Sequence, residues 1–266
     1  MKLKIAGLQL AVRDATTLED REANLNRAEK LARKAAPADL ILLPELFTIG
    51  YGEKAFESLP LLAEGRDGPA ISRFRKVARD LKSFIAFGFP EKDGRAVYNS
   101  AAVLSDKGEL VAVYRKMHIP QFIKTMEKDY FTRGSLALSF DLKGVKTGVV
   151  ICYDIRFPEI TRSLALKDGI QLLLHPVGFF KDETFSSWPI FVVTRAIENQ
   201  VYILSVNRAG RNNGGSIFAP PLMDWKKETK ILGSGEAIIE GIVDTSVVEQ
   251  ARMAYQYRKD LQKHYS

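Results

Sequence analysis

The sequence predicts a single α/β layered domain, and three observations carry that prediction. Short apolar runs alternate with segments of helical periodicity along the whole chain, the pattern of strands covered by helices. No linker, low-complexity tract or short internal repeat interrupts the 266 residues, a length that one large domain can hold. One run, Thr147 to Glu159, places β-branched Val149, Val150 and Ile151 directly before Cys152, with Pro158 suited to a first helical position. Such a strand-to-helix turn presents a side chain beside backbone N–H groups able to stabilise an oxyanion.

Leu3 to Leu10 reads as a buried first strand. Thr17-Leu18-Glu19-Asp20 has the form of a capping box. The helix it opens repeats Leu25, Ala28, Leu31, Ala32 and Ala35 at helical spacing and stops at Pro37. The strand Leu40 to Leu43 runs into Pro44-Glu45, and a carboxylate at such an exit is costly unless hydrogen-bonded or functional. After a loop from Gly50 to Gly68, Pro69 starts a helix with Ile71, Phe74, Ala78 and Leu81 on one face. Phe84 to Phe89 is the next strand. Tyr98 to Leu104 and Glu109 to Tyr114 form a hairpin around Ser105-Asp106-Lys107-Gly108, and its second arm ends at Arg115-Lys116-Met117-His118. Ile119 to Gly134 reads as a loop over a site or a solvated loop. The Cys152 strand is followed by a helix through Leu164 to Lys167, a strand from Gln171 to Leu174, and a helix around Val192 to Glu198. Strands over Val201 to Val206 and Ala237 to Val243 come next, and a charged tail closes the chain.

Composition narrows the function. A formal charge of +7 raises nucleic acid as a partner, but the lysines and arginines are interleaved with acids and no basic run carries aromatics. Solvated helix faces are the expectation, with no nucleic-acid partner. No apolar run is long enough to span a bilayer, so no membrane partner is expected. Met1 to Ala11 contains two lysines and no small-residue cleavage site, which favours a first strand over a signal peptide and a cytoplasmic location. His118, His175 and His264 lack metal-ligand spacing, so neither a metal nor another cofactor is expected.

Cys152 is the sole cysteine, which excludes an intramolecular disulfide and makes it a candidate nucleophile. Alone, a free cysteine reads more readily as a small buried hydrophobe. Its company decides. Three reactive residues stand at strand exits in the order Glu45, Lys116, Cys152, within L-L-P-E-L-F, Y-R-K-M-H and G-V-V-I-C-Y-D-I-R-F-P-E. With R-A-I-E-N-Q at Arg195 to Gln200, N-R-A-G at Asn207 to Gly210, and Gly215-Ser216, the chain resembles the carbon–nitrogen hydrolase (nitrilase) superfamily over nearly its whole length.

That resemblance implies a four-layer α-β-β-α sandwich, assembled as a homodimer or larger homo-oligomer. It implies Cys152 as nucleophile, Glu45 as general base and then acid, and Lys116 as oxyanion stabiliser beside the Tyr153 backbone. Glu127 takes the place of the family's second glutamate, in a loop shorter than in many members. Tyr51, Arg156 and Phe179 are assigned to the substrate. Pro221-Leu222-Met223 departs from the family's proline-any-glycine turn. The implied reaction is thioester-mediated hydrolysis of a small linear amide with release of ammonia. The nucleophile motif looks like that of ω-amidases, which act on amides bearing a distal carboxylate. Arg156 suits such a carboxylate, although a structural salt bridge to Asp154 or Glu159 is an equal reading. Nitrile or N-carbamoyl substrates, a Cys–His hydrolase using His175 or His118, and a catalytically silent binding protein of the same fold are the alternatives.

Overall fold

The computed structural model of the chain describes residues 1–35, 37–120, 127–222 and 229–262. The first half runs β1 (Lys2–Gln9), α1 (Leu18–Ala35), β2 (Leu40–Leu42), α2 (Glu53–Glu57), α3 (Leu59–Leu62), α4 (Pro69–Leu81), β3 (Phe84–Asp93), β4 (Ala96–Leu104), β5 (Leu110–Arg115) and α5 (Glu127–Tyr130). The second begins with β6 (Leu138–Leu142), β7 (Val145–Val149), a 3₁₀ turn (Cys152–Arg156) and α6 (Pro158–Ser163), which continues as a π turn to Asp168. It goes on through β8 (Leu172–Pro176), α7 (Ser187–Asn199), β9 (Tyr202–Val206), β10 (Ile217–Ala219), β11 (Lys230–Ile231), β12 (Ala237–Asp244), α8 (Thr245–Ala254) and α9 (Tyr257–Asp260).

Two 6-stranded sheets result, ordered β12-β1-β2-β3-β4-β5 and β11-β10-β9-β8-β7-β6. Read from β12, the first sheet pairs antiparallel, parallel, parallel, antiparallel, antiparallel. Read from β6, the second gives the same series. Strand alternation decides the layers. In β2, Leu40 and Leu42 enter the core between the sheets, while Ile41 faces the Leu25, Ala28, Phe74 and Val77 cluster beneath α1 and α4. Trp188, Val192 and Ala196 of α7 cover the second sheet. The order is therefore α-β-β-α. Gly7 sets how close the sheets come: a Cβ there would stand 2.5 Å from Val206 and 3.3 Å from Leu204, both on β9 of the other sheet.

Several elements follow directly from the residues. Asp20 N–H donates to Thr17 Oγ1 (3.1 Å) and Thr17 N–H to Asp20 Oδ2 (3.2 Å), the reciprocal cap that opens α1. Pro158 begins α6. Other boundaries differ from the sequence reading. The Cys152 strand leaves its ladder at Val149, and Val150 and Ile151 extend beyond it. The Gly50–Gly68 loop contains α2 and α3. β3 runs on to Asp93 because Gly94, at φ +59°, closes a hairpin with β4. β6, β10 and β11 were not foreseen. The tail begins as helix α8, capped where Asp244 accepts from Ser246 N–H at 3.0 Å.

One contact aims this scaffold at the candidate residues. A Cβ on Gly88 would lie 2.6 Å from both Glu45 Cα and Leu46 N, backbone that cannot step aside. Gly88→Ala should therefore cost about 1–3 kcal/mol and lower the thermal midpoint by several degrees. Gly233→Ala, where a Cβ meets nothing within 4 Å, is the control. Equal midpoints for the two variants in calorimetry would show that the Glu45 turn does not need the glycine.

Candidate active site

Glu45 leaves the end of β2, Lys116 the end of β5, and Glu127 sits in α5. All three side chains are fully buried. Lys116 Nζ donates to Glu45 Oε1 at 2.8 Å and to both oxygens of Glu127 at 2.7 and 2.8 Å. Asn99 Nδ2 adds a 2.7 Å bond to Glu45 Oε1, and the Tyr51 hydroxyl donates to Glu127. Glu45 Oε2 has no hydrogen-bond partner among the described residues. Burial opposes the Lys116 charge, but Glu127 and Glu45 outweigh it and raise its pKa, so the ammonium is permanent. Burial pushes Glu127 up to about 7 against the pull of Lys116. Burial also raises Tyr51, which keeps it a donor.

Cys152 arrives from the other sheet with φ +44°, a backbone conformation that costs about 1–2 kcal/mol for a residue with a Cβ. Its neighbours hold it there. Asp154 Oδ2 accepts from Ile151 N–H (2.9 Å) and from the Tyr114 hydroxyl (2.7 Å), while Oδ1 accepts from His118 N–H (2.9 Å) and Nδ1 (2.8 Å). His175 Nε2 donates to the Cys152 carbonyl at 2.9 Å. Its Nδ1 accepts from Ser205 Oγ (2.8 Å), which in turn accepts from Trp188 Nε1 (3.1 Å). Neither histidine bonds the sulfur: both support the turn as structural histidines, the favoured reading, and the Cys–His alternative loses its base. The thiol is 8% exposed, more enclosed than a strand-edge position suggests. Burial and the Glu45 charge raise its pKa well above the ordinary value, while Lys116 and the Gly178 backbone N–H pull the other way. At rest it is a thiol and needs a base.

A cleft of about 70 Å³ opens over it, lined by Tyr51, Tyr153, Arg156, Phe179, Asp182 and Thr184 among others. The structure thus brings the candidate substrate residues to one surface with Cys152. Arg156 makes no salt bridge to Asp154 or Glu159. Its Nη2 donates to Thr184 Oγ1 at 3.3 Å, and its guanidinium lies 5.1–5.9 Å from the rings of Phe191, Phe179 and Tyr153. Arg195 fixes the backbone beneath, donating to the Ile155 (3.1 Å) and Arg156 (3.3 Å) carbonyls.

The arrangement can run acyl transfer without imported charge. Moving the thiol proton to Glu45 keeps the net charge of the buried cluster constant, whereas releasing it to water would add a second uncompensated anion. Asn99, Gly178 and the His175–Ser205–Trp188 chain were missed in the sequence. Only R-A-I-E-N-Q and N-R-A-G pointed toward the buried Arg195 and Arg208. Arg208 sits behind the cleft, 5.0 Å from the Phe180 ring and 5.7 Å from that of Tyr51. His264 and Met223 of the Pro221-Leu222-Met223 departure lie outside the described residues. No group of metal-binding side chains occurs among the described residues.

The chain is similar to known proteins over nearly its whole length. Residues 4–251 match the family model described as carbon-nitrogen hydrolase. The omega-amidase NIT2 of Xenopus tropicalis is 33% identical over 256 residues, covering 90% of each chain. Nit3 of Saccharomyces cerevisiae, a member of branch 10 of the nitrilase superfamily, superposes with a TM-score of 0.85 at 26% identity, over 99% of this chain and 97% of that one. A mutant amidase from Nesterenkonia sp. AN1 superposes at 0.75 with 27% identity over 97% of each chain. That structure shows covalent addition of the acetamide moiety of fluoroacetamide at its active-site cysteine.

Burial pushes His175 down to about 4. An unfolded histidine titrates near 6.5, so the unfolded chain takes up this proton first. Stability drawn from neutral His175 is whole above 6.5 and is lost as pH falls toward 4, about 3 kcal/mol in all. The unfolding free energy of the wild type minus that of His175→Gln, followed by denaturant titration, should shrink between pH 7 and 4. A pH-independent difference would mean that His175 titrates as it does in the unfolded chain.

Proposed function

The chain belongs to the carbon–nitrogen hydrolase family, and on that premise we propose that it is an amidase acting through a thioester on Cys152. The observation that carries this reading is the divided Glu45 carboxylate: Oε1 is held by Lys116 and Asn99, while buried Oε2 has no hydrogen-bond partner among the described residues. That free oxygen takes the thiol proton. The sulfur attacks the amide carbonyl, and the oxyanion is held by Lys116 Nζ and the Tyr153 backbone N–H. One such donor is worth about 3 kcal/mol in the transition state. Glu45, now protonated, gives its proton to the departing nitrogen, and ammonia leaves behind a thioester. Glu45 then deprotonates a water that attacks the thioester, and the carboxylic acid departs as the thiol is restored. Glu127, with Tyr51, holds Lys116 in place.

The substrate is a small linear amide with a carboxylate at its far end. Arg156 supports this, because among the described residues its guanidinium has aromatic neighbours and the Thr184 hydroxyl but no salt-bridge partner. The similarity to an omega-amidase points the same way. A homodimer or larger homo-oligomer belongs to the same reading, as the family resemblance implies. A reduced nucleophilic thiol suits the cytoplasm.

Cys152→Ala should abolish ammonia release from a panel of amides, ω-amides, N-carbamoyl compounds and nitriles without lowering the thermal midpoint by more than a few degrees. Turnover near the wild-type rate in that variant would remove the thioester from the mechanism. Glu45→Gln and Lys116→Ala should each fail before acylation, seen as a missing thioester adduct in single-turnover mass spectrometry. A normal burst would refute the role given to that residue. Arg156→Met should raise KM for an ω-amide of a dicarboxylic acid by about tenfold or more while changing KM for an uncharged amide of equal length little. Equal losses would make Arg156 a scaffold residue.

A further inference from the structure

The cleft carries a second charge that the reaction does not use. Asp182 lines it together with Arg156, Thr184 and Cys152. Thr184 stands between the two charges: its hydroxyl donates to Asp182 Oδ1 at 2.8 Å and accepts from Arg156 Nη2 at 3.3 Å. The Thr184 N–H also donates to Asp182 Oδ1, at 2.8 Å. Arginine and aspartate are therefore braced one hydroxyl apart, with no direct ion pair recorded between them. Oδ2 of Asp182 has no hydrogen-bond partner among the described residues. Neighbouring Lys181 does not neutralise it, since its Nζ donates to Ser234 Oγ at 2.6 Å.

Resting on the amidase reading above, we propose that the cleft recognises the zwitterionic end of an α-amino acid ω-amide, with Arg156 taking the α-carboxylate and Asp182 the α-ammonium. The charged side chains among the described residues that line the cleft are one arginine and one aspartate, a pairing that matches a zwitterion. A monoamide that ends in a carboxylate alone brings a net negative charge beside Asp182, and like charges at such range are disfavoured. An α-carbon presents carboxylate and ammonium from a single atom, which suits two opposite charges separated by one hydroxyl. The guanidinium offers a fork to the carboxylate, and the Asp182 carboxylate accepts from the ammonium.

Ammonia release measured for L-glutamine against glutaramic acid, and for L-asparagine against succinamic acid, tests the pairing at matched length. The wild type should favour the amino acid amide by about tenfold in kcat/KM. Asp182→Asn should raise KM for the amino acid amide and lower it for the deamino analogue. Those opposite directions cannot arise from damage to the fold. Asp182→Glu, which keeps the charge, should retain the preference. A wild-type ratio at or below one, or KM values that move together in Asp182→Asn, would overturn the zwitterion site and leave the amidase reading standing. Release from none of the four compounds would sink both.

Discussion

A positive charge with no contact to solvent stands at the centre of this molecule. Burying an ammonium alone costs several kcal/mol, and Lys116 is tolerable only because Glu45 and Glu127 close on it from two sides. Neither carboxylate is local to it. Glu45 comes from β2, Glu127 from α5, and Asn99 of β4 reaches across to complete the set. Each of these elements must be in its final place for the charge to be paired. The arrangement that pairs it also leaves a single carboxylate oxygen bare beside the thiol. On the proposed mechanism, stability and reactivity thus depend on the same three side chains.

The thiol side is organised by neutral and anionic hydrogen bonding. Asp154 joins the turn after β7 to the exit of β5, because one carboxylate receives Ile151 from the second sheet and Tyr114 and His118 from the first. His175, kept neutral by burial, fastens the Cys152 carbonyl and is itself oriented by Ser205 and Trp188. A left-handed cysteine is thereby held at a position where an ordinary extended residue would be more comfortable.

Much of the layering was legible in the sequence because buried strands are apolar on both faces and α1 announces itself with a capping box. β6, β10 and β11 were not, since Leu138–Leu142 mixes Ser and Asp into its run and the other two are 3 and 2 residues long. The C-terminal charges of Thr245–Ala254 read as a tail because only Val248 and Ala251 of that helix are buried. Glu45, Lys116, Glu127 and Cys152 were readable as residue types at strand exits and in family motifs, and the structure brings them together. What could not be read is pairing through backbone. The bond from His175 to the Cys152 carbonyl spans 23 residues, and the room left by Gly178 beside Glu45 Oε2 exists only in three dimensions. Arg156 shows the reverse limit. Acids two and three residues away suggested a salt bridge, yet the 3₁₀ turn directs the side chain to Thr184 instead.

The two sheets share one pairing series but divide the reacting groups. Glu45 and Lys116 leave strands of the first, Cys152 leaves a strand of the second, and the faces meet across Gly7. The proposed catalytic centre is consequently an interface inside one polypeptide, lying where the two sheets meet. A lesion in that seam can leave every strand ladder intact and still separate the proposed base from the nucleophile by about 1 Å, enough to matter for rate. Turnover in this protein is therefore a finer gauge of how the halves sit on each other than any measure of secondary structure. Apolar residues in the seam, far from the cleft, carry a catalytic constraint that their chemistry does not advertise.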